Sequence, residues 1–274
     1  MFLFSLLLIQ CSKDPVTGKK SYNWFNRQQE IALGEKVLAS QLKAFKQAQE
    51  GENKKPVSID EDEEQLKRLR RIVHRLAKVS HVPDFPYEVH LADSPVVNAW
   101  CAPGGKIMVY RGLWDKEKGL VKKDNEDEIA AVLAHEIAHA TSRHVTESLS
   151  THITIGLAGS VATTAIGEAH QDLGDIFSTV FVVGYTIFVP TYSRRHESEA
   201  DRVGLFYMAK AGYDPRAAVR LWQRAAQRKN PKASSIFASH PPSGKRAKDL
   251  EKYLPMAMEL YRNPQLPYPN FSDL

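Results

Sequence analysis

The stretch LAHEIAHATSRH, Leu133 to His144, carries three histidines and a glutamate close together in the chain. His135 and His139 are four residues apart, so a helix stacks both imidazoles on one face, where they can share an ion. Zn²⁺ is the usual partner of two histidines at this spacing. Glu136 is turned about 100° from His135 around the helix. It can therefore approach the open side of a metal without ligating it, which is where a general base takes a proton from water. His144 falls about 140° off the ligand face, which makes it a packing or hydrogen-bonding residue rather than a third ligand.

A better third ligand lies in RRHESEAD, Arg194 to Asp201. Glu197 and Asp201 share one face of a helix at this spacing. A Glu197 carboxylate from a second helix would complete a His₂Glu set and leave one position for water. Asp201, one turn on, could orient a ligand histidine by accepting its other N–H. Glu199 faces roughly away from Glu197 and is the lesser candidate. His196 is adjacent, but neighbouring helical residues do not face the same way.

Four segments in order carry a family resemblance, over roughly Asn23 to Leu250: NAWCAPGGKIMVYRGL, HEIAHATSRH, ESEAD and ASHPPSGKR. Together they resemble the zinc metallopeptidase family that includes HtpX, BepA and the CAAX prenyl proteases, with Trp100 where a phenylalanine is more usual. The resemblance implies one zinc per chain held by His135, His139 and Glu197, with Asp201 behind them. It also implies that His240 lies at the zinc, steadying an oxyanion or filling the open position in a resting form, and that Arg246 stands near the site. The implied fold is α+β and mainly helical, a zincin-like peptidase domain with a small antiparallel sheet beside the HExxH helix. Substrate would add as an extended strand along Asn98, Ala99 and Trp100, which reads backbone more than side chains and suits unfolded proteins.

The elements that must position these residues are legible as patterns. Ile31, Leu33, Val37, Leu38, Leu42 and Phe45 follow helical spacing, and a second amphipathic helix is expected over about Asp60 to Val79. YEVHLAD, PVVNAWCAPGG and KIMVYRGL read as three short strands, the last two a hairpin through Pro103–Gly105. From Asp124 the chain returns to helix. Ile153–Ile166 and Ile176–Val189 are apolar but short for membrane spans; they read as a buried hairpin or a lid.

At 274 residues, 43% hydrophobic and 25% charged, the composition is that of a globular protein. The net charge of +5 is spread thinly, and no basic run interleaved with aromatics marks a nucleic-acid groove. Two cysteines, Cys11 and Cys101, exclude a disulfide framework. Cys11 follows the apolar MFLFSLLLIQ and precedes polar SKDPVTGKKS, the order of a lipoprotein signal, although Gln10 replaces a small residue and no cation precedes the run. The expected organisation is a signal-like segment over 1–10, a tether over 11–22 and a metallopeptidase domain over 23–274. The expected setting is the periplasmic side of the cell envelope, lipid-anchored through Cys11 to the outer membrane. The expected activity is zinc-dependent endopeptidase action on misfolded or misassembled envelope proteins; a chaperone or assembly factor with a plugged protease site is the second reading.

Overall fold

A computed structural model describes residues 11–50, 57–163, 192–227, 236, 240 and 244–273. Along the chain lie β1 (Cys11–Lys13), β2 (Lys20–Tyr22), α1 (Arg27–Glu50), α2 (Glu63–Val79), β3 (Glu88–Ala92), β4 (Ala99–Ala102) and β5 (Lys106–Tyr110). They are followed by α3 (Glu126–Thr141), α4 (His144–Thr163), α5 (Arg194–Lys210), α6 (Arg216–Ala226) and α7 (Gly244–Arg262). The fold is α+β and mainly helical.

Helix starts follow capping chemistry. The Asp62 carboxylate accepts from the Gln65 N–H before α2, whose first turn is acidic and whose last turn carries Lys78. The Asn125 side chain accepts from the Glu128 N–H at the start of α3, and the Ser193 side chain from the His196 N–H at the start of α5. From Glu128 to Thr141 every residue of α3 is buried. It is a core helix on all sides, which is why its periodicity is weak.

The three-stranded sheet has the order β3-β5-β4. It is sandwiched between two apolar layers, so β4 and β5 are buried on both faces, while β3 leaves Glu88 exposed and His90 half-buried. Ala99, Cys101, Ile107 and Val109 face the layer of α2, α3, α5, α6 and α7, while Trp100, Ala102, Met108 and Tyr110 face the layer of α1 and α4. The β4–β5 hairpin turns through Gly104 and Gly105, both at positive φ (73° and 82°). The sheet is mixed rather than wholly antiparallel: β4 runs antiparallel to β5, but β3 pairs with β5 in parallel, Val89 opposite Ile107. The chain leaves β3, turns back as β4, and β5 then inserts between the two.

The segment expected to be a tether carries local structure. β1 and β2 pair antiparallel, and their turn is closed by Asp14 Oδ1, which accepts from the Val16 and Thr17 N–H groups at 2.9 and 2.6 Å. The hairpin is tied to α4 through Tyr22 Oη and Thr154 Oγ1, 2.6 Å apart, and through the Asn23 amide donating to Thr146 Oγ1 at 2.7 Å. Among the described residues no helix is long and apolar enough to cross a membrane. The first expected apolar stretch falls largely within α4, and the second, Ile176–Val189, lies outside the described residues.

Candidate metal centre

α3 and α5 cross at Gly204. A Cβ built on Gly204 would stand 2.9 Å from the His135 backbone nitrogen, so only a glycine lets the two backbones come this close. The crossing brings Glu197 of α5 under His135 and His139 of α3. His240 arrives from the chain ahead of α7. Ligand atoms of His135, His139, Glu197 and His240 all lie within 4.8 Å of one another, and all four residues are buried. His139 Nε2 is 3.1 Å from His135 Nε2 and 3.3 Å from Glu197 Oε1. His240 Nδ1 is 3.2 Å from His135 Nε2 and 2.9 Å from Glu197 Oε1. Donors held about 2.0–2.1 Å from one ion at tetrahedral angles stand about 3.3 Å apart, so the observed spacing suits a single small cation.

The electrostatics also suit a cation. Glu136, Glu197 and Asp201 are buried carboxylates, and Arg246 is the guanidinium buried with them. Three buried carboxyl groups against one buried guanidinium make an acidic excess that a divalent ion would offset. Burial without that balance is expensive. Arg246 binds Asp201 through two hydrogen bonds, 2.6 and 2.7 Å, and reaches Glu197 Oε2 at 2.7 Å. Its guanidinium lies 3.8 Å over the ring of Trp222, which sequence reasoning did not single out. Asp201 Oδ1 in turn stands 3.0 Å from His135 Nδ1.

Titration behaviour follows from these contacts. Burial pushes the Glu197 carboxyl up, but His240, Arg246 and hydrogen bonds from His139 and His240 outweigh it, so its pKa is lowered. Burial drives the His139 imidazole well below its usual range, toward the neutral form that a ligand needs. The Glu136 carboxyl is raised, chiefly by burial, with His240 and His135 opposing. Its Oε1 lies 3.4 Å from His240 Nε2, and neither oxygen makes a well-aligned hydrogen bond among the described residues.

The strand expected to receive substrate is a sheet edge. The Asn98 carbonyl accepts from the Tyr110 N–H, so the alternation of a strand turns the Val97 and Ala99 peptide groups outward. Val97 O accepts from the Ile236 N–H at 3.0 Å, and Ile236 O accepts from the His240 N–H at 2.8 Å. The Trp100 side chain points into the α1 and α4 layer, where its indole N–H donates to Tyr110 Oη. Cys11 opens β1. Tyr192 was not foreseen: its ring stacks on His139, 3.6 Å between centroids and 21° between planes. Nothing in the local sequence marks it. A groove of about 760 Å³ beside α2 and β3, lined by Arg70, His74, Lys78 and Phe85, shares no residue with this centre.

A model of Peptidase family M48 matches residues 63–254, which span every element of the centre. The chain belongs to that family. Among similar proteins, it is 36% identical over 191 residues to "Mitochondrial metalloendopeptidase OMA1" of Schizosaccharomyces pombe, covering 69% of this chain and 53% of that protein. It is 30% identical over 188 residues to "Metalloprotease YcaL" of Escherichia coli, covering 67% and 68%. It is 26% identical over 180 residues to "Beta-barrel assembly-enhancing protease" of Yersinia pestis, covering 64% and 34%. The chain thus spans about half the length of the S. pombe relative. M48 membership and the cluster of three histidines and a glutamate agree on a bound metal ion.

Proposed function

We propose that this M48 chain is a zinc-dependent metalloendopeptidase that cleaves extended or unfolded segments of cell-envelope proteins. The observation that carries the reading is the convergence of His135, His139, Glu197 and His240 beside the buried carboxylate of Glu136. His135, His139 and Glu197 would hold one zinc, with Asp201 and Arg246 fixing His135 and Glu197 from behind. Bound there, zinc would supply a Lewis acid that brings the pKa of water near neutrality and polarises a carbonyl.

Glu136 takes a proton from the attacking water as its oxygen adds to the scissile carbonyl carbon. It passes that proton to the leaving amine as the C–N bond breaks. Burial raises its carboxyl pKa, which strengthens Glu136 as a base, and the same group returns the proton it has taken. His240, 3.4 Å from Glu136, would donate to the oxyanion. The outward peptide groups of Ala99 give substrate a strand to pair with beside α3, and those of Val97 join it where substrate takes the place of Ile236.

The envelope setting is supported by the apolar MFLFSLLLIQ ahead of Cys11, and a lipid on that cysteine is the finer form of the proposal. Labelled palmitate should enter the wild-type chain and not Cys11→Ser. The relative named for β-barrel assembly favours assembly intermediates as substrates.

Zinc content and casein hydrolysis test the enzyme reading. Wild type should bind about one zinc and cleave. Glu136→Gln should keep the metal and lose about 10²–10⁴-fold in rate, and Glu197→Ala should lose both metal and activity. A wild type without zinc, or an active Glu136→Gln, overturns the reading.

One observation favours a second reading. The Ile236–Val97 bond covers part of the substrate edge, and Ile236 O also accepts from the N–H of His240, which stands in the cluster, as a plug would. In a chaperone or assembly factor with a latent site, Glu136→Gln would retain the cellular role; in a protease it would not.

A further inference from the structure

His139 has a second set of partners, on the side away from the cluster. Its Nδ1 lies 2.9 Å from Nδ1 of His144, and His144 Nε2 lies 3.5 Å from Glu199 Oε1. His144 is buried, and its plane is held by stacking on His196, 4.3 Å between centroids and 14° between planes. From sequence these looked unrelated: His144 read as a packing or hydrogen-bonding residue and Glu199 as a lesser candidate ligand.

We propose that His144 and Glu199 form a positioning relay that fixes the tautomer and ring plane of His139 as a metal ligand. The inference rests on the zinc reading above and adds residues that it does not use. The polarity runs in one direction. When His139 gives Nε2 to a metal, its proton sits on Nδ1, which faces His144. His144 Nδ1 must then accept, so the His144 proton sits on Nε2, facing Glu199. An ionised carboxylate only accepts, so Glu199 selects that tautomer of His144. At 3.5 Å this last link is an electrostatic bias rather than a short hydrogen bond. The cluster-facing nitrogen of His139 is left with its lone pair free for a cation.

Zinc affinity of the purified full chain, by chelator competition, tests the relay apart from activity. The visible absorption of the cobalt-substituted protein reports ligand geometry. His144→Ala should bind zinc about tenfold to a hundredfold more weakly and shift the cobalt bands. His144→Asn, whose side-chain oxygen can stand where Nδ1 stood, should recover most of the affinity and the wild-type spectrum. A merely space-filling role would not show that recovery. A folded His144→Ala with zinc affinity within about threefold of wild type overturns the relay. Should His144→Ala fail to fold, Glu199→Ala decides: weaker zinc binding supports the relay, and affinity equal to wild type overturns it. Absence of zinc from the wild type is a different failure, that of the metal reading itself.

Discussion

The two histidines of the HExxH helix are held from behind in unlike ways. His135 is backed by Asp201 at 3.0 Å, and Asp201 by two short bonds from Arg246, all deep in the core. His139 is backed by a neutral ring, and that ring by Glu199 at 3.5 Å, whose side chain is 14% exposed against 3% for Asp201. One arm is a closed ionic lattice. The other is longer and ends near the surface, beside the N-terminal hairpin. There the Asp14 carboxyl feels the charge of Glu199. The difference teaches where the centre is rigid and where outer layers of the fold can reach it.

The largest expected effect breaks the rigid arm. Arg246→Met removes the cation that faces both Asp201 and Glu197 and leaves two buried carboxylates with only imidazole partners. Losing one partner of such a buried pair costs about 3–5 kcal/mol. Chemical denaturation of the metal-free variant should therefore register a deep loss, and saturating zinc should restore part of it. A variant as stable as wild type without metal would mean that the arm is not an ionic lattice.

Gly204→Ala attacks the same arm through the backbone. The new methyl would stand 2.9 Å from the His135 nitrogen and 3.0 Å from its Cα, and neither backbone atom can rotate away. The helices must separate, at about 1–3 kcal/mol, and zinc affinity should fall with stability. Thermal unfolding with and without zinc reads both effects.

How much of this was legible in the sequence depends on how far each partner lies along the chain. His135, Glu136 and His139 were readable because one helical turn fixes their relation. Glu197 and Asp201 were readable for the same reason, as a pair. His240 was not, since it reaches His135 across 105 residues of sequence, and only the family resemblance placed it at the metal. Trp222, Tyr192 and Gly204 act by packing against residues distant in sequence, and no local pattern encodes that. The helix expectations held for α1, α2 and α3, whose caps and apolar spacing are local. The β4–β5 hairpin was legible through its glycine turn, but no local pattern tells that β3 adds to β5 in parallel and makes the sheet mixed. Three-residue strands such as β1 and β2 are too short to show any period, so a docked hairpin read as a tether.

A smaller effect sharpens the contrast between the arms. Asp201→Asn should weaken zinc binding about tenfold or more, because an amide can present its N–H to His135 and leaves Arg246 without a matching carboxylate. Glu199→Gln should change affinity by less than about threefold, because its amide oxygen can still accept and the link is long. Chelator competition on the two variants side by side ranks the arms; equal losses would erase the distinction.

The smallest effect probes the outer end of the longer arm. The Asp14 carboxyl is raised from 3.8 to about 6, first by burial and then by the charge of Glu199, while N–H groups of its own turn pull it down. The folded hairpin therefore binds this proton more tightly than the unfolded chain does. Ionisation is unfavourable to folding: the penalty is absent below about pH 4, grows through pH 6 and stays constant above. Asp14→Asn keeps an oxygen to cap the Val16 and Thr17 N–H groups but carries no charge. It should raise stability at pH 7.5 by about 1 kcal/mol, since local opening of the hairpin limits the gain, and by much less at pH 4. In a Glu199→Gln background the gain at pH 7.5 should shrink, because the second cause of the shift is gone. An undiminished gain would assign the shift to burial alone and would detach the hairpin from the His139 arm.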